Sequence, residues 1–359
     1  MLGLHSARRN ISANSALAAG LLCATTLCPP LHVQTPTPSP APTPVYKEFV
    51  DELGRTVRVP QPVQRIVSLA PSLTETIYAL GLQDRLVGDT DYCDFPPDAQ
   101  RKPKVGGAIN PSLEQIVALH PDLVLVTKSL NRLETVQALE GLGISSYATD
   151  PHTVQEIISS TERLAGVLGV PDAGTTLRAD IEGHLADLQR RLIGQTPRRV
   201  LFVVWSDPLM SVGKGTFIAD ALRLAGAASI VDSLQDWPQM SLEEVVRLQP
   251  DFLIFAGAHS DSVQTDFDVL AERPGWRGLD AVRNRRFVVI SDAVNRPAPR
   301  IVSAIEDLAR QLHPEAFSAH PDGEKEKKIS PPASQQPPIG SPDFPVSDSA
   351  VLEACACAR

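Results

Sequence analysis

The residues best suited to chemistry are large planar side chains and a few charges, placed just beyond apolar runs. Tyr92 and Phe95 lie in Asp91-Tyr92-Cys93-Asp94-Phe95-Pro96-Pro97, directly after a predicted strand, Arg85 to Thr90. Trp205 ends the run that begins at Val200, and Trp237 sits in a loop ahead of Ser241. Open parallel sheets bind ligands beyond the carboxyl ends of their strands, and aromatic side chains there suit a large, partly apolar ligand. The same rings would otherwise plug a core. Trp276, in Pro274-Gly275-Trp276, reads as a packing residue. Asp292, Arg296 and Arg300 follow the last apolar run, where a guanidinium either pairs with a ligand carboxylate or phosphate or caps a neighbouring turn.

Catalytic constellations are thin. His120, His152, His184 and His259 are isolated, with no His-x-x-x-His or Cys-x-x-Cys partner to recommend a zinc site or a nucleophilic triad. Gly213-Lys214-Gly215-Thr216 lacks the spacing of a phosphate loop and reads as a turn. No catalytic residue, resident cofactor or metal ligand is singled out by these residues.

The elements that must position these residues occupy the middle of the chain. Of 32 prolines in 359 residues, nine fall in residues 1–62 and eight in 313–359, so the ends differ in kind from the rest. Arg8 and Arg9 ahead of the apolar run Ile11 to Leu27 have the pattern of an export signal, and a Pro/Thr tether follows from Gln34 to Pro44. Cys23 or Cys28 would be the anchoring residue of a lipidated form. The stretch from His313 is rich in Pro, Ser and charge and reads as a disordered tail. A net charge of −9 offers no basic surplus for nucleic acid. Cys93 is the only cysteine between the ends, so no disulfide framework is expected there.

An internal repeat organises the remainder. Ser112-Leu113-Glu114-Gln115 to Val126 recurs as Ser241-Leu242-Glu243-Glu244 to Phe255, each copy a capped helix, a Pro-Asp turn and a buried strand. Upstream, Arg65 to Ala70 is a strand, Pro71 to Glu75 a turn with a Ser72/Glu75 capping box, and Thr76 to Leu80 a helix. Its counterpart is strand Val200 to Trp205 and helix Thr216 to Leu224. This order predicts two doubly wound α/β lobes, residues 46–170 and 196–312. Leu177, Ile181, Leu185, Leu188 and Leu192 form one stripe on a long linking helix, capped by Asp172, within residues 171–195. Glu114 and Glu243 share one register. A second-position acid is favoured by the helix dipole, but the pair also suits docking to a two-fold partner.

The chain resembles the periplasmic solute-binding proteins of ABC importers for cobalamin, haem and ferric siderophores. The marks are Asp51-Glu52-Leu53-Gly54-Arg55, Arg65-Ile66-Val67-Ser68-Leu69-Ala70-Pro71-Ser72 with Thr74-Glu75, the two Ser-Leu-Glu repeats, and Arg296-Pro297-Ala298-Pro299-Arg300. The resemblance implies a cleft between two lobes joined by one rigid helix, no catalysis, and permease docking through Glu114 and Glu243. Asp91 to Pro97, Lys104-Val105-Gly106-Gly107 and Trp237-Pro238-Gln239 resemble the vitamin B12-binding branch. That branch implies Tyr92, Trp237, Asp292 and Arg296 as cleft-lining residues. It carries an aromatic near Gly107 that is missing here, and a disulfide where this chain has Ala225 and Ala309. The expectation is therefore an exported protein that delivers a corrinoid, or else haem or a ferric siderophore. A chelatase-like metal enzyme is the distant alternative.

Overall fold

The computed structural model describes residues 45–257 and 268–318. The expected export signal, tether, Cys23, Cys28, His259 and residues 319–359 of the tail lie outside the described residues.

Two four-stranded parallel sheets dominate. The first has the order β4-β3-β5-β6, built from β3 (Ile66–Ser68), β4 (Leu86–Gly88), β5 (Leu123–Thr127) and β6 (Ser146–Thr149). The second has the order β10-β7-β11-β12, built from β7 (Arg198–Phe202), β10 (Ala227–Ser229), β11 (Phe252–Ala256) and β12 (Phe287–Ile290). Each sheet begins at an inner strand, crosses to one edge and returns past the start, so the repeat extends to topology. A hairpin of β1 (Val45–Val50) and β2 (Thr56–Gln61) precedes them.

Strand side chains alternate between two covered faces, as the continuous apolar runs require. Val200 and Phe202 enter one core cluster, while Leu201 and Val203 enter the other. Ile66, Leu123 and Leu125 pack against α1 (Pro71–Ala79), whereas Val67, Val124 and Val126 pack with α2 (Leu113–Ala118) and α3 (Leu133–Gly141). Trp276 is buried with α7 (Leu242–Leu248), as its reading for packing requires.

The repeated Pro-Asp turn performs the same structural work twice. Asp122 Oδ2 accepts from the backbone N–H of Arg65 at 2.8 Å, and the Arg65 guanidinium donates to the carbonyls of Leu119 and His120 at the end of α2. Asp251 Oδ2 accepts from Arg199 N at 3.1 Å, and the Arg199 guanidinium donates to Leu248 and Gln249. His120 and Gln249 hold φ of 44° and 46° at equivalent positions, where the chain leaves the helix. A cation on the final carbonyls satisfies groups the helix leaves unpaired.

Two helix starts differ from expectation. Helix α1 begins at Pro71, with Ala70 as N-cap and no side-chain cap, so Ser72 and Glu75 form no capping box. Proline is favoured at the first helical position, and this lengthens the helix to nine residues. For the same reason α5 runs Pro171–Leu192, placing Asp172 in its first turn and not at its cap. Ser112 and Ser241 do cap their helices, accepting from Gln115 N at 3.3 Å and Glu244 N at 3.2 Å.

Helix α5, 22 residues and about 33 Å long, carries the chain from one sheet to the other. Its stripe is buried as expected, with Ile181 and Leu188 in the second lobe's core and Leu177 against both cores. It does not act alone. Helix α4 (Val154–Val167) lies beside it, with Val154, Ile157 and Ile158 in the second lobe's core and Leu164, Ala165 and Val167 in the first. Val154 N also donates to Asp220 Oδ2 at 3.0 Å, on α6 (Phe217–Leu224).

The boundary expected at His313 is displaced. His313 is fully buried, its Nε2 lies 3.0 Å from Gly226 O, and Pro314–Phe317 forms one further helical turn after α8 (Ile301–Leu312). Composition alone assigned these residues to the tail, but the packing of His313 against Gly226 keeps them on the lobe. Ala225 and Ala309 are both fully buried in the same core.

A Cβ at Gly174 would stand 2.6 Å from Ala165 Cβ, so α4 and α5 meet at a contact that glycine permits. Gly174→Val is expected to destabilise the protein by about 1–3 kcal/mol through overpacking. Denaturant titration checks this, and an unchanged midpoint would show that the helix pair is not tightly seated.

Candidate functional site

The carboxyl ends of the two sheets meet. Glu75, one turn into the helix that follows β3, receives a two-pronged bond from Arg300 on the far lobe, Nε to Oε2 at 2.9 Å and Nη2 to Oε1 at 2.8 Å. Arg296 lies 3.5 Å from Glu75, 2.9 Å from Asp94 and 3.2 Å from Asp292. Arg300 also reaches Asp292 at 3.3 Å, and its guanidinium sits over the Phe95 ring at 4.0 Å from the centroid. Residues following β3 and β4 thus grip residues following β12.

Sequence reasoning singled out Phe95, Asp292, Arg296 and Arg300, and the structure brings them together. The local pattern reads Glu75 as a capping acid and gives no role to Asp94. Pro71 was the available signal. A helix starting there places Glu75 inside the element, where its carboxylate is buried and needs a partner. Burial pushes this carboxyl above the ordinary range even against Arg300 and Arg296.

The loop that carries Tyr92, Asp94 and Phe95 is held from below by a buried polar cluster. Asp89 bonds Lys104 Nζ at 2.8 Å, and the same ammonium donates to the carbonyls of Cys93 and Ala99. Thr74 Oγ1 donates to Ser68 Oγ at 2.8 Å and lies 3.2 Å from Cys93 Sγ, with Thr90 Oγ1 at the same distance. Burial raises the Cys93 thiol to about 12, with the Asp89 charge adding to it, so the cysteine is a packed neutral group and not a nucleophile. Tyr92 is half-buried against the first lobe's core, and its Cε2 lies 3.8 Å from where a Gly107 side chain would begin.

Trp205 and Trp237 share a separate patch at the end of β7. Trp205 lies on β8 (Trp205–Ser206) and pairs with Met210 of β9 (Leu209–Met210), which in turn bridges to Gln239. The Trp205 indole N–H donates to Asp207 O at 2.6 Å, while Trp237 packs on the second lobe's core and stays half-buried. Gly213 to Thr216 is a packing turn beside this patch. A Cβ at Gly213 would stand 2.5 Å from Leu234 O, and Thr216 caps α6.

Glu114 and Glu243 are exposed in the first turns of α2 and α7, and among the described residues neither takes part in an ion pair. Among those residues no cluster of His, Cys, Asp and Glu is placed to hold a metal, and no helix is long and apolar enough to cross a membrane.

Asp89 titrates near about 6, raised chiefly by burial and opposed by Lys104. Its folded pKa exceeds its unfolded value, so its contribution to stability is present at low pH and is lost as pH rises through about 6. Denaturation of wild type and Asp89→Asn between about pH 4 and 7 checks the sign. The difference should move in favour of wild type as pH falls, and movement the other way would contradict the assignment.

Comparison with known proteins agrees with this fold. The vitamin B12-binding protein of Vibrio cholerae serotype O1 is 31% identical over 259 residues, covering 70% of this chain and 90% of that protein. The crystal structure of the V. cholerae periplasmic vitamin B12 binding protein BtuF superposes with a TM-score of 0.61 at 29% identity, covering 72% of this chain and 99% of that one. The uncharacterised ABC transporter substrate-binding lipoprotein YvrC of Bacillus subtilis strain 168 is 30% identical, over 74% of this chain and 85% of its own. The apo periplasmic heme-binding protein RhuT of Roseiflexus sp. RS-1 matches with a TM-score of 0.63 at 28% identity, over 71% of this chain and 99% of that one. The sequence model for the periplasmic binding protein family matches residues 66–294. With the duplicated parallel sheets and the helix that carries the chain between them, these matches establish that the chain belongs to the periplasmic binding protein family.

Proposed function

We propose that this chain is an exported, non-enzymatic solute-binding protein that captures a corrinoid, cobalamin being the leading candidate, and delivers it to an ABC importer. The observation that carries the reading is the placement of Tyr92, Phe95, Trp205 and Trp237 at the carboxyl ends of two sheets whose loops meet through Arg296 and Arg300. Tyr92 and Trp237 would face a planar ligand, with Asp292 and Arg296 as its polar contacts. The 31% identity to a vitamin B12-binding protein supports the corrinoid over other cargo. Gly107 contributes no ring beside Tyr92. Delivery to a permease would use Glu114 and Glu243, whose exposed carboxylates lie in the matching first turns of α2 and α7. Lipid anchoring through Cys23 or Cys28 belongs to the same proposal, since YvrC is a lipoprotein.

Titrating the purified protein with cyanocobalamin should quench tryptophan fluorescence saturably at micromolar ligand, and no saturable change would sink the corrinoid reading. Tight hemin or ferric siderophore binding in its place would move the protein to another branch of the class. Tyr92→Ala and Trp237→Ala should each weaken binding by about tenfold, the equivalent of roughly 1.4 kcal/mol.

Combined Glu114→Ala and Glu243→Ala should weaken association with the permease while leaving ligand affinity within about twofold, since rim charges act mainly on encounter. A fall in ligand affinity would show that these acids serve the cleft and not the partner.

A further inference from the structure

The ionic group joining the two lobes also limits what the cleft accepts. Two guanidiniums, Arg296 and Arg300, are set against three carboxylates, Glu75, Asp94 and Asp292. The Arg300 fork that would grip a ligand carboxylate is already committed to Glu75, and its face is covered by Phe95. The Arg296 side chain is 5% exposed, whereas Asp94 is 54% exposed. An approaching ligand therefore meets the Asp94 carboxylate before the Arg296 guanidinium.

We infer that this junction selects neutral or cationic ligands that present amide N–H donors and rejects ligands that present carboxylates. The inference rests on the reading above, in which Asp292 and Arg296 contact the ligand. An amide N–H gains a charge-assisted bond to Asp94 or Asp292. A ligand carboxylate would add a fourth anion to a partly desolvated group that already has one to spare, and like charges so placed repel strongly. A corrinoid, fringed with amides, suits this junction, and a dicarboxylate such as haem does not.

The test compares cyanocobalamin with its monocarboxylic acids, in each of which one side-chain amide is replaced by a carboxylate, using tryptophan fluorescence on the full chain. At least one isomer should bind about tenfold more weakly than cyanocobalamin, and Asp94→Asn should bring it to within about threefold. Asp94 is exposed, so this variant should fold, and a melting curve checks that it does. If no isomer is weakened, or if the weakening persists in both Asp94→Asn and Asp292→Asn, the inference is overturned. If cyanocobalamin itself does not bind, the corrinoid reading fails separately. The charge inference is then judged with hemin and its dimethyl ester: tighter binding of the ester supports it, and tighter binding of hemin overturns it.

Discussion

Helices α4 and α5 must bury apolar faces against two sheets at once, and most of the architecture follows from that seam. A fully buried Leu or Ile side chain contributes about 1.5–3 kcal/mol, and the pair places Val154, Ile157, Ile158, Ile181 and Leu188 in the second lobe's core. The other end of α4 supplies Leu164, Ala165 and Val167 to the first. Because Leu177 touches both cores, neither lobe is completed without the helices that also complete its neighbour. The close approach at Gly174 brings the two helix axes together along this shared boundary. Such a junction favours small relative movements, since a wide swing would expose residues that both lobes bury.

The duplicated lobe is a second economy of design. Each copy anchors its Pro-Asp turn by a carboxylate on a backbone N–H and caps the preceding helix with an arginine. These residues look functional in sequence because they recur, yet their partners are backbone groups. Glu114 and Glu243 recur equally and have no such partner among the described residues, which separates them from the structural part of the motif. Recurrence marks a constraint, and only the contacts reveal whether that constraint is the fold or the surface.

The strand-end loops are held by polar groups that cost stability. Asp89 is buried against one ammonium, and Glu75 is buried between two guanidiniums from the other lobe. Buried ion pairs of this kind rarely add net stability, because desolvation offsets most of the attraction, but they specify a geometry. Lys104 gathers the carbonyls of Cys93 and Ala99 and so sets the path of the loop that presents Tyr92, Asp94 and Phe95. The Arg300 to Glu75 fork fixes how the two sets of strand-end loops face one another.

The alternation of apolar runs with capped helices was enough to read two duplicated α/β lobes, the linking stripe from Leu177 to Leu192 and the strand-end position of the aromatics, because these depend on local periodicity. The same local reasoning gave Glu75 to a capping box and His313 to the tail. Both assignments failed because each side chain has its partner far along the chain, Arg300 for Glu75 and Gly226 for His313. The double role of α4 was hidden as well, since one amphipathic pattern does not say how many cores its stripe serves. Sequence alone determined which segments are buried and which loops lie beyond the strands. Only the tertiary structure decided which charges meet across the lobes, because ion pairing over 200 or more residues leaves no periodic trace.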